Sequence, residues 1–228
     1  MSDRHIITID GPVGSGKSTA ARGLAQKLGI RYFNSGALYR AIAWMGLDAG
    51  IDLDDTAALL TRLGQAKVEM REVAGETHLF LDGRDIMGEV FRNEISLEVH
   101  RVADPPTIRR EVGRLAHELT AGWSFVTEGR DQGTEVWPEA QLKFYLDARP
   151  EVRAERRRLE LEKRGEKVSL DDVLRQILER DERDRTRKVG ALRRADDAIY
   201  VDNSDLDIEE TVDRLFELAS GRMRPEAS

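Results

Sequence analysis

Ile6-Ile7-Thr8-Ile9-Asp10-Gly11-Pro12-Val13-Gly14-Ser15-Gly16-Lys17-Ser18-Thr19 is the stretch on which the reading of this 228-residue chain turns. Four residues rich in β-branched side chains run into an aspartate, then a glycine-rich turn, then an alanine-rich segment, so the stretch reads as strand, loop and helix. Inside the turn, Gly11-x-x-x-x-Gly16-Lys17-Ser18 matches the phosphate-binding loop pattern in its strand-to-helix setting. A loop that wraps a polyphosphate turns its backbone N–H groups inward, which needs residues without a Cβ at its tight points, here Gly11, Gly14 and Gly16. The helix that follows offers unpaired N–H groups and the positive end of its dipole to an anion. Lys17 then supplies a mobile charge for the outer phosphates, and the Ser18 hydroxyl is placed to ligate Mg²⁺. The bland alternative is a glycine-rich turn with a surface lysine, and the flanking strand and helix weigh against it.

The chain is long enough for one α/β domain with insertions or for two small domains. Hydrophobic residues make up 40% and charged residues 35%, which describes a globular, salt-laced protein. A formal net charge of −7 argues against broad binding to nucleic acid, which needs an extended basic surface. There are no cysteines, so disulfides and thiolate zinc sites are excluded and a reducing cytosol is compatible. His5, His78, His100 and His117 show no metal-ligand spacing. No apolar run approaches the ~18 residues of a membrane span, and the start Met1-Ser2-Asp3-Arg4 lacks the apolar core of a signal peptide. The expectation is a cytoplasmic protein.

After the loop, residues 19–28 read as a helix stopped by Gly29, and residues 31–34 as a second short strand. Ser35-Gly36-Ala37-Leu38-Tyr39-Arg40 opens another helix, so a hydroxyl and a guanidinium can overhang one cleft. Taken alone, Ser35 reads as an N-cap and Arg40 as a solvated helix residue. A helix is expected over residues 54–63. Three short strands follow at 67–72, 77–81 and 84–86, separated by Ala74-Gly75 and Asp82-Gly83, the second a strong hairpin signal. Residues 65–90 therefore read as an inserted antiparallel sheet. Helices are expected over 93–103 and, past Pro105-Pro106, over 107–119, where Arg109, Arg110 and Arg114 are misplaced for the helix dipole unless something negative lies near. For Arg110 and Arg114 the preferred reading is solvated charge alternating with Glu111 and Glu118.

Residues 124–127 form the third expected sheet strand, ending in Glu128-Gly129-Arg130-Asp131-Gln132-Gly133-Thr134, where open α/β sheets place their ligands. Strands at 142–146 and 198–202 complete the sheet. Between them, residues 151–200 hold 15 Lys or Arg against 13 Asp or Glu, a local excess of cations in an acidic chain. Arg153, Arg156, Arg157 and Arg158 share one helix that ends near Arg164-Gly165, and Ser169 to Asp172 has the form of a capping box for the next. There Arg180, Asp184 and Arg187 fall on one helix face. Most of these charges read as a solvated face laced with ion pairs, and a subset as a basic lid that closes over phosphates. The last helix covers residues 208–220, and the tail beyond Arg222 reads as frayed.

Taken together, these pieces resemble the bacterial cytidylate kinases. The matching motifs are Asp10 to Thr19, Ser35 to Arg40, Gly129 to Thr134, and Glu179-Arg180-Asp181-x-Arg183-Asp184-Arg185. They stand in family order and spacing, and the inserted sheet lies where that family carries its monophosphate-binding insert. The resemblance covers residues 5–220. It implies a five-stranded parallel sheet flanked by helices, with a P-loop core of residues 1–34, 105–152 and 170–228, a monophosphate-binding region of residues 35–104 and a lid of residues 153–169. It also implies phosphoryl transfer from ATP to CMP or dCMP with Mg²⁺, by a monomer. Residue by residue, it puts ATP on Gly11, Pro12, Val13, Gly14, Ser15, Gly16, Lys17, Ser18 and Thr19. Ser35, Arg109 and Asp131 would read the pyrimidine edge, Arg40, Arg130 and Arg187 would hold the acceptor phosphate or sugar, and Asp184 the sugar hydroxyls. Arg180 would sit near the phosphates, Arg157 would close with the lid on ATP, and residues near Asn203 would line the adenine site. His100 stands where the family often has a cytosine-reading serine, and Phe91 where an arginine is common. Glu128 replaces an aspartate and keeps the charge that orders a Mg²⁺-bound water.

These residue types suit the reaction, because phosphoryl transfer needs alignment and charge neutralisation more than acid or base help. Asp131 accordingly reads as a positioning group. One rival is another P-loop kinase of nucleoside monophosphates or small molecules on the same scaffold. A second is a nucleotide-dependent switch, against which stand the arginine load and the lack of the guanine-reading N-K-x-D pattern.

Overall fold

In the computed structural model, residues 4–163 and 165–222 are described. The tail beyond Arg222 and Arg164 lie outside the described residues, with the expectations placed on them. The chain forms two compact units, one of residues 33–123 and one of the segments on either side.

The flanking segments are built on a five-stranded parallel sheet. β1 (Ile6–Asp10) lies inside it and is buried along its whole length, which is what its apolar run requires of a parallel strand covered on both faces. After α1 (Lys17–Leu28) comes β2 (Arg31–Asn34), and the sheet continues with β6 (Phe125–Gly129), β7 (Leu142–Asp147) and β8 (Ile199–Asp202) in the order β2-β6-β1-β7-β8. Ile7, Ile9, Val126, Phe144, Leu146 and Val201 pack on one face against Leu24 of α1 and Leu215 of α9 (Ile208–Arg222). In the register, Asp10 lies beside both Gly129 and Tyr145, so β1 and β6 end level with one another while β7 runs on to Asp147. The phosphate loop and the turn after β6 thus leave the same edge of the sheet, the edge where open α/β sheets bind ligands. The turn winds into a single π-helical turn, Gln132–Val136. Two further helices, α7 (Pro150–Lys163) and α8 (Leu170–Thr186), pair through Ala154, Leu161, Val173 and Ile177. The Ser169 hydroxyl accepts from the Asp172 N–H, as the capping-box reading requires.

The unit of residues 33–123 holds α2 (Ser35–Asp48), α3 (Thr56–Gln65), a three-stranded antiparallel sheet of β3 (Val68–Val73), β4 (Glu76–Leu81) and β5 (Arg84–Asp85), and then α4 (Met87–Val90), α5 (Asn93–Ala103) and α6 (Pro106–Leu119). Both hairpins are two-residue turns with left-handed central residues, Ala74-Gly75 (φ 50° and 83°) and Asp82-Gly83 (φ 51° and 83°). That is the backbone twist a tight hairpin needs, and it explains why Asp-Gly was readable and why alanine carries strain at the first turn. α4 was not foreseen, because four residues are too few for a periodicity. Among the described residues, no helix is long and apolar enough to cross a membrane.

Candidate active site

Gly11 leaves β1 at a point where a Cβ would stand 2.0 Å from the Leu146 carbonyl oxygen, so only glycine fits. Gly16 (φ 84°) turns the chain into α1 in the left-handed region, with no side-chain cap on the N-terminal N–H groups. Ser15 Oγ donates to the Pro12 carbonyl (3.1 Å), and Lys17 Nζ bends back to the same oxygen (2.6 Å). The Asn203 amide braces the loop from outside by donating to the Ser15 carbonyl (3.0 Å). Lys17 is 5% exposed, and burial, with repulsion from Arg130 added, pulls its pKa down to about 7. A polyphosphate would restore the charge that burial suppresses.

Asp10 joins the loop to the turn after β6. Its carboxylate accepts from the N–H groups of Gln132 (2.9 Å) and Gly133 (2.7 Å), the first residues of the π-helical turn. Burial raises its pKa to about 7, against the opposing pull of those two N–H donors. Gly133 is needed at this crossing, because a Cβ would meet Thr8 Oγ1 at 2.8 Å. Asp131 is buried just before the turn.

Ser18 Oγ donates to Glu128 Oε1 (2.9 Å), and Glu128 is 8% exposed. A hydroxyl beside a carboxylate is a hard-oxygen pair of the kind Mg²⁺ accepts alongside water and phosphate, so the residues present fit that ion. Tyr32, which sequence reading missed, lies beside both, and burial followed by the Glu128 charge pushes its pKa well above the usual phenol value.

Arg130 donates from Nε to Asp184 Oδ2 (2.7 Å), and Arg187 to Asp184 Oδ1 (2.9 Å). Burial works against the Asp184 charge, but the two guanidiniums hold its carboxyl below the usual range. α8 ends at Thr186, so Arg187 reaches Asp184 from just past the helix and not from its face. Arg180 is exposed and near enough to act electrostatically on both Lys17 and Asp184.

The four arginines of α7 have separate fates. Arg153 is buried and ion-paired with Asp181 (2.6 Å). Arg156 donates to the carbonyls of Asn203 (2.8 Å) and Leu206 (3.1 Å), shaping the turn after β8. Arg157 pairs with Glu160 (2.7 Å), and Arg158 with Glu155 and Glu162 on the outer face. Only the last two match the solvated reading. Arg153 could not be told from its neighbours in a run of arginines.

In the unit of residues 33–123, the N-cap of α2 is Asn34, whose side chain accepts from the Ala37 N–H (3.2 Å), and not Ser35, which is buried as the first helical residue. Ser35 was read as a cap because serine is a good one, but asparagine one residue earlier has the extended backbone a cap needs. Arg40 donates to Ser96 Oγ (2.6 Å) and lies 5.6 Å from the Phe91 ring centre, so it is held, not merely solvated. Arg109 is 7% exposed, covers the Tyr39 ring (5.3 Å) and donates to the Ala103 carbonyl (2.9 Å). That carbonyl closes α5, whose negative dipole end answers the misplaced cation at the start of α6. Arg114 pairs with Glu111 and Glu118, as expected. His100 is exposed on α5, its Nδ1–H donating to the Leu97 carbonyl (2.8 Å).

Residues 7–221 match the family model described as cytidylate kinase. A protein of Nitratidesulfovibrio vulgaris named cytidylate kinase is 43% identical over 90% of this chain and 88% of its own. One of Carboxydothermus hydrogenoformans with that name is 40% identical over 93% and 96%, and one of Rhodopirellula baltica 38% over 93% and 91%. A solved structure of an uncharacterized protein from Eubacterium ventriosum is similar in fold, with a TM-score of 0.51 at 15% identity over 96% of this chain and all of that one.

Proposed function

Because the chain belongs to the cytidylate kinase family and is a nucleoside monophosphate kinase that uses ATP to phosphorylate CMP and dCMP, we propose that its residues divide the reaction as follows. The loop from Gly11 to Thr19 carries the ATP phosphates, with Lys17 released from the Pro12 carbonyl onto the outer phosphates. Arg130 and Arg187, spaced by Asp184, take the acceptor phosphate and sugar. Asp131 positions the pyrimidine, Arg180 neutralises charge between the nucleotides, and Arg157 closes on ATP from a lid of residues 153–169. Ser35, Arg40 and His100 serve CMP from an acceptor region of residues 35–104, and Arg109 joins them from the start of α6. The P-loop core is then residues 1–34, 105–152 and 170–228.

Ser18 and Glu128 would hold Mg²⁺, Glu128 through a bound water. When bound, the ion neutralises phosphate charge and fixes the phosphate geometry. The protein's own groups do the rest by alignment: the loop N–H groups orient the donor, the Asp184-spaced arginines orient the acceptor, and Asp10 locks the two segments at a common height. We take the working form to be a cytoplasmic monomer that binds neither nucleic acid nor membrane.

One observation carries the assignment of roles. Lys17 is buried with its Nζ held by the Pro12 carbonyl, and Arg130 and Arg187 share the single carboxylate of Asp184. Three cations held by one carboxylate and a neutral carbonyl keep positive charge to give to incoming phosphates. A coupled ADP-release assay with CMP, dCMP, UMP and AMP tests the acceptor. CMP and dCMP should turn over fastest, and faster turnover of AMP or UMP would reject the pyrimidine contacts assigned above. Turnover independent of any acceptor would favour a nucleotide-driven switch.

A further inference from the structure

In the glutamate-arginine-rich motif of α8, Asp181 is a buried charge to which the roles above give no part. Asp181 is fully buried, and so is its partner on α7, Arg153, at 2% exposure. Between them they hold one residue of the phosphate loop, Val13, by both its backbone groups. Arg153 Nη1 donates to the Val13 carbonyl (2.9 Å) and to Asp181 Oδ2 (2.6 Å), while Asp181 Oδ1 accepts from the Val13 N–H (3.3 Å). Arg153 Nε is tied down by the Ala148 carbonyl (2.8 Å). The Val13 side chain also packs against the α7–α8 core of Ala154, Leu161, Val173 and Ile177. The next residue, Gly14 (φ 77°), comes so near that an added Cβ would stand 3.2 Å from both Cβ and carbonyl oxygen of Arg153.

We propose that the Arg153–Asp181 pair is a positioning device for the ATP phosphates: it sets the crest of the loop at Val13 and Gly14, and through it the cradle that receives the donor nucleotide. The chemistry favours this use over simple bracing. A loop that points its N–H groups at phosphate must dispose of the carbonyl between them, and Arg153 takes it. A lone arginine there would be an unpaired buried cation, and Asp181 cancels that charge while accepting from the Val13 N–H. Neither residue has a place in CMP binding, so the two substrates should respond differently.

The inference rests on the kinase reading, and direct binding measurements keep the two separable. In the full-length chain, Asp181→Asn keeps an oxygen for the Val13 N–H but removes the charge that holds Arg153. We expect its MgATP dissociation constant, measured calorimetrically without acceptor, to rise at least tenfold on the scale of a lost charge-assisted contact. CMP binding should stay within twofold, and hydrogen exchange at the Val13 amide should quicken. Arg153→Lys, which keeps the charge but cannot reach both carbonyls, should move the same way by at least threefold and serves if Asp181→Asn does not fold. Lys143→Met, which breaks the Lys143–Asp197 pair elsewhere on the sheet, should lower the melting temperature and leave MgATP binding unchanged. MgATP constants within twofold of wild type in both loop variants would overturn the proposal, as would equal weakening of MgATP and CMP. A wild-type chain that binds MgATP but never phosphorylates CMP would sink the functional reading instead.

Discussion

The arginines around the phosphate loop and those on the outer faces of α6 and α7 are the same residue in the same kind of charged run, yet they live in different physical regimes. Arg130, Arg153 and Arg187 are each at most 18% exposed and each share a buried carboxylate. Arg114 and Arg157 are 52% and 39% exposed and pair with glutamates three or four residues away on their own helix. In water such a pair exchanges one solvation for another and contributes little. In the interior, removing one partner strands the other without solvent, so the pair constrains the structure even where its net contribution to stability is small. Burial, not residue type, separates the charges that build the site from those that keep the surface wet.

The severest way to test that contrast is Asp184→Ala, which leaves Arg130 and Arg187 facing each other. Chemical denaturation should show a loss of about 3–5 kcal/mol, the usual cost of orphaning a buried charge. A loss below about 1 kcal/mol would mean that solvent already screens the pair. Lys17→Ala should slow turnover by roughly a hundred- to thousand-fold through lost electrostatic stabilisation, with the fold intact by circular dichroism.

Arg40→Ala should mainly raise the acceptor KM, by about 1.5–3 kcal/mol of charge-assisted hydrogen bonding, and steady-state kinetics with CMP varied would show it. If kcat falls and KM stays, Arg40 acts on the transition state instead. At the small end, Arg114→Ala should change unfolding free energy by less than about 1 kcal/mol. A larger change would erase the distinction between the two regimes.

Proton linkage sharpens the contrast from the buried side. Lys17 falls from 10.5 in the open chain to about 7 in the fold, so its contribution to stability is lost as pH falls from above 10.5 through 7. Asp10 rises from 3.8 to about 7, so its contribution is lost as pH climbs from below 3.8 through 7. The contribution of these two groups is therefore smallest near neutrality, while that of carboxylates held below their usual range, such as Asp184, is lost only in acid. Polyphosphate should return Lys17 to its charged form, so ATP binding at pH 8 should take up protons. Calorimetry in buffers of different ionisation enthalpy measures that uptake, and Lys17→Met should abolish it.

How much of this was written in the chain depends on how local the signal was. The strands were legible because parallel burial demands unbroken apolar runs such as Ile6 to Ile9, and the inserted sheet because Asp82-Gly83 has few other uses. The phosphate loop announced itself through glycines, Gly11 with no room for a Cβ and Gly14 and Gly16 with left-handed backbones. What stayed hidden depended on distant partners. Arg153 is indistinguishable from Arg156, Arg157 and Arg158 until Asp181, 28 residues later, is brought against it. Asp10 reads as the end of a strand until the amides of Gln132 and Gly133 close on it. The π-helical turn has no periodicity of its own to read, and Asn34 displaced Ser35 as a cap through backbone geometry that composition does not encode.

The central claim is that this chain holds two nucleotides at once, donor on the glycine loop and cytosine monophosphate on the arginines that Asp184 spaces. Titrating CMP into protein already saturated with a non-hydrolysable ATP analogue and Mg²⁺ puts the question most directly. The account predicts one further equivalent of CMP bound with the analogue still in place. CMP that fails to bind, or that binds only by displacing the analogue, would contradict it.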